Sequence, residues 1–136
     1  MRIGSRIMVA AGTFAAAIAL STAPALADSP HFVGSQSCIA SAGTVTCNFS
    51  VAGLGNAKTA TAEIQAPFDC VKTTSHEVRP GGLASSGAQT FRVRAGRINV
   101  TNLELTASCP DHSQAEFTGP VTVLVNGQVV GTIPIT

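Results

Sequence analysis

An all-β, immunoglobulin-like sandwich of about seven to nine short antiparallel strands, carried behind a cleaved N-terminal signal peptide, is the fold this sequence predicts. Three observations predict it. Apolar and polar residues alternate over several short runs, turn signals recur roughly every ten residues, and the four cysteines, Cys38, Cys47, Cys70 and Cys109, all lie beyond the export signal. A period of two marks a strand with one buried face, and short strands at regular spacing close into two packed sheets.

The chain opens with MRIGSR, continues through an apolar run from Ile7 to Leu20, and reaches Ala25-Leu26-Ala27 after the breaker-rich Ser21 to Pro24. A basic start, an apolar centre and an A-x-A ending make a secretory signal peptide over residues 1–27, with cleavage after Ala27. A membrane span needs about 20 apolar residues, more than the run supplies before Pro24. Asp28 follows the cut, so no lipidated cysteine does, and Arg2 and Arg6 are not a twin-arginine pair. The expected product is secreted and extracellular, with no membrane span.

Removing 27 of the 136 residues leaves 109. That length suits one disulfide-stapled domain over residues 28–136 with a modest core. The formal net charge of +1 also changes, because Arg2 and Arg6 leave with the signal and the remaining six Lys and Arg face seven acidic residues. A globally basic polyanion binder is disfavoured, while a local basic face remains open.

The first hairpin follows a short entry at His31-Phe32-Val33. A turn at Ala42-Gly43 sets Cys38 directly across from Cys47, within disulfide reach, which leaves Cys70 to pair with Cys109. Val45, Cys47, Phe49 and Val51 alternate with polar partners until Ala52 to Asn56 breaks the strand. Lys58 to Ala66 alternates again, with Ala60, Ala62, Ile64 and Ala66 on one side. Alanine is a mediocre strand former, yet the strict alternation and the interleaved threonines outweigh a helix. Pro67 suits an edge strand or a bulge.

Thr73 to Ala88 is polar and rich in turn residues. A structureless loop of that length is unusual in a compact domain, so the stretch is either functional or hides a strand near Glu77 to Arg79, followed by a turn at Pro80-Gly81-Gly82. The clearest strand pair runs from Gln89 to Cys109. A two-residue turn at Ala95-Gly96 opposes Arg94 to Arg97, Val93 to Ile98, Arg92 to Asn99 and Phe91 to Val100. One face would then be apolar, and the other would carry Arg92, Arg94, Arg97 and Asn99.

Beyond that pair, the apolar parity shifts from Ile98 and Val100 to Leu103, Leu105, Ala107 and Cys109. One slipped residue near Thr101-Asn102 means a β-bulge or a crossing between sheets. Last comes a hairpin of Val121 to Val125 and Gln128 to Ile135 about Asn126-Gly127, both of which accept positive φ.

Phe32, Cys38, Gly43, Cys47, the run Val51 to Asn56, Cys70, Pro80-Gly81-Gly82 and Cys109-Pro110 together form a frame that resembles a group of small secreted actinobacterial proteins with four cysteines and no assigned activity. The resemblance covers most of residues 28–136. It implies two disulfides, secretion and a β-rich domain, and it carries no site residues across.

Most chemical readings meet an objection. Ser75-His76-Glu77 with Asp69 suggests a hydrolase, but neighbours on a strand point to opposite faces and no nucleophile-elbow glycine frame surrounds the serine. Asp111-His112 reads as a turn. The closest two cysteines are nine residues apart, too far for a zinc knuckle, and nothing in the spacing of His31, His76 and His112 requires a metal. No motif calls for a cofactor. With six Phe and no Trp or Tyr, stacking platforms for sugars or bases are missing, and nucleic acid is not an expected partner. Asn48-Phe49-Ser50 and Asn99-Val100-Thr101 match the glycosylation sequon, a chance match if the source is bacterial.

The expectation is a non-enzymatic extracellular module, binding or structural, that meets an envelope polymer or another secreted protein. Arg92, Arg94, Arg97 and Asn99 are its candidate anion- or partner-binding residues. The other expectation is an inhibitor of a secreted hydrolase that presents the Thr73 to Ala88 segment.

Overall fold

The computed structural model describes residues 29–136, so the expected signal peptide and its cleavage site lie outside the described residues. Within 29–136 the chain forms nine antiparallel strands and no helix. They are β1 (His31–Ser41), β2 (Thr44–Ala52), β3 (Thr59–Lys72), β4 (Val78–Ser85), β5 (Gln89–Arg92), β6 (Ile98–Thr106), β7 (Ser113–Phe117), β8 (Val121–Val125) and β9 (Gln128–Ile133).

Two sheets face each other in a sandwich-like arrangement. The smaller has the order β1-β2-β6, and the larger is built around β3. One edge of β3 takes β5 at Thr59–Ala62 and then β4 at Gln65–Val71. The other takes β8 at Ala62–Gln65 and β7 at Phe68–Lys72, with β9 outside β8. Each neighbour of β3 is thus a broken strand laid along one long one.

The core is the period-two alternation made solid. Val45, Cys47, Phe49 and Val51 of β2, and Ile98, Val100, Leu103 and Leu105 of β6, point inward from the small sheet. Ala60, Ala62, Ile64 and Ala66 of β3, and Val121, Val123 and Val125 of β8, meet them from the large one. Burying each Val, Leu or Ile stabilises by about 1.5–3 kcal/mol relative to exposure.

Both expected disulfides form. Cys38 and Cys47 are register partners with Cα atoms 4.1 Å apart, and Cys70 joins Cys109 at 5.7 Å. On the loop-entropy model, closing loops of 9 and 39 residues stabilises by roughly 3 and 4 kcal/mol. Turns at Ala42-Gly43 and Asn126-Gly127 have positive φ at both residues, as two-residue hairpins require. The parity shift is a bulge, where Cys47 faces Leu103 and Phe49 faces Val100, and Asn48 Oδ1 accepts from the Asn102 N–H at 2.9 Å.

Three expectations need correction, and one strand was not anticipated. The Gln89 to Val100 pair is a hairpin only at its tip: Arg94 faces Arg97, but Phe91 and Arg92 pair with Ala60 and Thr59, while Ile98, Asn99 and Val100 pair with Val51, Ser50 and Phe49. The two arms enter different sheets because each has an apolar face to bury and the sandwich interior lies between them. Pro67 sits in the central strand, not at an edge or a bulge. Its missing N–H falls where the neighbouring strand breaks between β7 and β8, and its carbonyl accepts from Thr118 N–H at 3.0 Å.

Pro80-Gly81-Gly82 is not a turn. The hidden strand is longer than expected and runs through these residues as a bulge, with Gly82 opposite Phe68, Pro80 opposite Asp69 and Gly81 left over. A Cβ on Gly81 would collide with the Phe68 ring, so the extra residue has to be glycine. Finally, Ser113–Phe117, after the Asp111-His112 turn, is a strand that its sequence pattern did not single out.

Candidate functional site: a basic corner

Of the six lysines and arginines in the described residues, Lys72 and Arg79 pair with Glu77 at 3.6 and 3.3 Å. The other four, Lys58, Arg92, Arg94 and Arg97, gather at one corner. The fold assembles that corner from two segments distant in sequence. Val93 N–H donates to the Lys58 carbonyl at 2.9 Å, and Leu54 N–H donates to the Gly96 carbonyl at 3.0 Å, which ties the Ala52–Lys58 connection to the Ala95-Gly96 turn. Arg94 and Arg97 each donate a backbone N–H to the other's carbonyl, at 2.9 and 3.0 Å.

All four side chains belong to exposed residues, and among the described residues none has a carboxylate oxygen within 4.0 Å. A shallow groove lined by Lys58 and Arg92 lies beside an open depression of about 760 Å³, whose walls include His31, Gly53, Asn56, Val93 and Arg97. Gly53 has φ +84° and a Cβ there would meet the Ser29 carbonyl, so this wall is close-packed backbone. His31 Nδ1 lies 2.9 Å from the same carbonyl oxygen.

The predicted four-residue face is therefore divided. Arg92 projects from the large sheet and Asn99 from the small one, where its Oδ1 accepts from Ser50 Oγ at 2.6 Å. Arg94 and Arg97 stay together at the tip, and Lys58 joins them although sequence reasoning did not single it out. Its one sequence signal was a lone cation between a glycine-rich turn and an alternating strand.

The other candidates take ordinary places. Ser75 Oγ accepts from the Glu77 N–H at 3.4 Å. His76 and His112 sit in turns with positive φ next to Lys72 and Thr73, at the far end of β3 from His31. Among the described residues no group of three or more His, Cys, Asp or Glu is placed to hold a metal, and no helix is long and apolar enough to cross a membrane. Within the Thr73 to Ala88 segment, Val78–Ser85 is strand, which leaves Thr73–Glu77 and Ser86–Ala88 as its loops.

The carboxyl of Glu63 departs from its ordinary behaviour. Glu63 lies on the outer face of β3, where Ser85 Oγ donates to Oε2 at 2.6 Å and Gln65 Nε2 donates to the same oxygen at 3.0 Å. Those two hydrogen bonds, Ser85 first, hold its carboxyl below the usual range against a smaller opposing effect of burial.

Comparison with protein-family models, with curated proteins and with solved structures finds no match to this chain.

Proposed function

We propose that this is a secreted, non-enzymatic, immunoglobulin-like sandwich that binds anionic groups of an envelope polymer or of another extracellular protein through Lys58, Arg92, Arg94 and Arg97. The signal-peptide pattern of the sequence and two disulfides in a small all-β chain support an oxidising, extracellular setting. The observation that carries the reading is that every Lys and Arg of the described residues not held by Glu77 clusters at one corner, with no acid among the described residues to neutralise it. Arginine forks suit carboxylates and phosphates, and unpaired arginines facing each other repel unless an anion sits between them.

Pull-down of the disulfide-intact protein against isolated envelope polymer, at low and moderate salt, tests the reading. Capture that fades as salt rises, and is lost in Arg92→Glu/Arg94→Glu/Arg97→Glu with melting unchanged, is the expected result. Equal capture by the reversed protein would rule the corner out. Inhibition of a secreted hydrolase by the intact protein, abolished by changes within Thr73–Glu77, would favour the inhibitor instead.

A further inference from the structure

The large sheet carries a second like-charge pair, of the opposite sign. Asp69 of β3 and Glu116 of β7 are direct register partners, so their side chains share the outer face, and among the described residues no cation lies within 4.0 Å of either. Directly opposed like charges destabilise a sheet. On the β4 side of them the face is apolar, while Gln114, opposite Val71, shares it on the β7 side. The Gly81 bulge resets the alternation of β4, so Val78, Pro80 and Leu83 all project outward beside Val71, Asp69 and Pro67. Val78 is 59% and Leu83 61% exposed.

We propose that the protein associates head to tail with further copies of itself, the Arg94–Arg97 turn of one copy seating on the Asp69–Glu116 face of the next. Charge complementarity identifies the occupant. The two like-charge pairs are of opposite sign and lie toward opposite ends of the fold, since Arg92 pairs with Thr59 at the start of β3 and Asp69 lies about 33 Å further along that strand. An arginine suits an acidic spot with an apolar flank, because its stem covers apolar surface while its head pairs with carboxylate.

Two alternative geometries are disfavoured. Packing two large-sheet outer faces about a two-fold would gather the acidic Glu63, Asp69 and Glu116 of both copies into one interface. Adding a strand at the β4 edge is opposed by Pro80. Lys72 N–H bonds the Glu77 carbonyl, so by antiparallel alternation the groups of Pro80 face away from β3, where a missing donor spoils an incoming ladder. Contact between two different surfaces is not limited to a dimer: it builds a ring where the rotation between copies closes and a filament where it does not. This inference does not require polymer binding, although a polyanion would compete for Arg94 and Arg97.

Sedimentation or light scattering of the disulfide-bonded protein across a wide concentration range tests it, using two neutralised variants, Asp69→Asn/Glu116→Gln and Arg94→Gln/Arg97→Gln. The unaltered protein should rise in average mass with concentration at low salt and return to monomer at high salt. Each variant alone should remain monomeric, and an equimolar mixture should form one-to-one dimers and nothing larger, because one intact surface of each kind remains. A mass that stays monomeric throughout, an assembly that either variant retains, or a mixture that does not dimerise would overturn the proposal. The Asp69→Asn/Glu116→Gln variant should still be captured by envelope polymer, so loss of self-association and loss of anion binding read out separately.

Discussion

Arg94 and Arg97 are locked across the Ala95-Gly96 turn by two reciprocal backbone hydrogen bonds, which holds two guanidinium-bearing residues opposite each other where the chain passes from the large sheet to the small one. The turn needs positive φ at both central residues and has it, 53° at Ala95 and 73° at Gly96. Backbone geometry, not side-chain attraction, therefore sets the spacing of the charges. Among the described residues no carboxylate oxygen lies within 4.0 Å of either side chain.

Replacing Arg94 with Thr should relieve the repulsion and raise stability by about 0.2–1 kcal/mol at low salt, with the gain shrinking as salt is added. Urea denaturation at two ionic strengths measures this. The same variant should lose affinity for envelope polymer, so stability and binding should move in opposite directions.

Glu63 gives a pH prediction with a defined sign. Its folded carboxyl is held below its ordinary value of 4.5 by the Ser85 hydroxyl and the Gln65 amide. The stabilisation is fully present above that ordinary value and fades as pH falls through the lower folded one. Ser85→Ala should shift the Glu63 titration upward, followed by NMR of the side-chain carboxyl, and should flatten the acid limb of stability against pH. An unmoved titration would show that Ser85 is not the main cause.

Gly81→Ala should destabilise by about 1–3 kcal/mol, since the added methyl runs into the Phe68 ring at the bulge. Gly127→Ala meets nothing in space and is costly only through its φ of +81°. Thermal melts of the two variants separate crowding from backbone strain, because pairing Gly81→Ala with Phe68→Leu should recover part of the loss and the same partner should do nothing for Gly127→Ala.

Cys38→Ala/Cys47→Ala should cost about 2–5 kcal/mol, because the bridge closes β1 onto β2 and both cysteines are fully buried in the core. Cys70→Ala/Cys109→Ala should cost a similar amount through its longer loop, but at a site where Cys109 is only partly buried. Equilibrium unfolding under non-reducing conditions compares the two.

Local patterns carried much of this protein. The alternation of Val45, Cys47, Phe49 and Val51 named its own buried face, Ala42-Gly43 and Asn126-Gly127 named their turns, and the first of those turns placed Cys38 against Cys47. Even the slip at Thr101-Asn102 was legible, because a bulge changes the parity of a strand. All of these are relations between residues a few positions apart, where period and turn chemistry act directly.

Which strand lies beside which was decided only by the tertiary structure. Gln89 to Val100 has the pattern of one hairpin, yet its arms part into two sheets, since two apolar faces are buried better on opposite walls of one core than side by side on one. Pro67 became acceptable at the centre of a sheet only because the strand next to it breaks there. Lys58 joined the arginines only when Val93 bonded its carbonyl, and Asp69 met Glu116 only when β7 docked on β3. The inward or outward direction of a side chain is written in the period of its own strand, whereas the charges it will meet depend on which distant strand closes the ladder, and that choice is made by burial over the whole core.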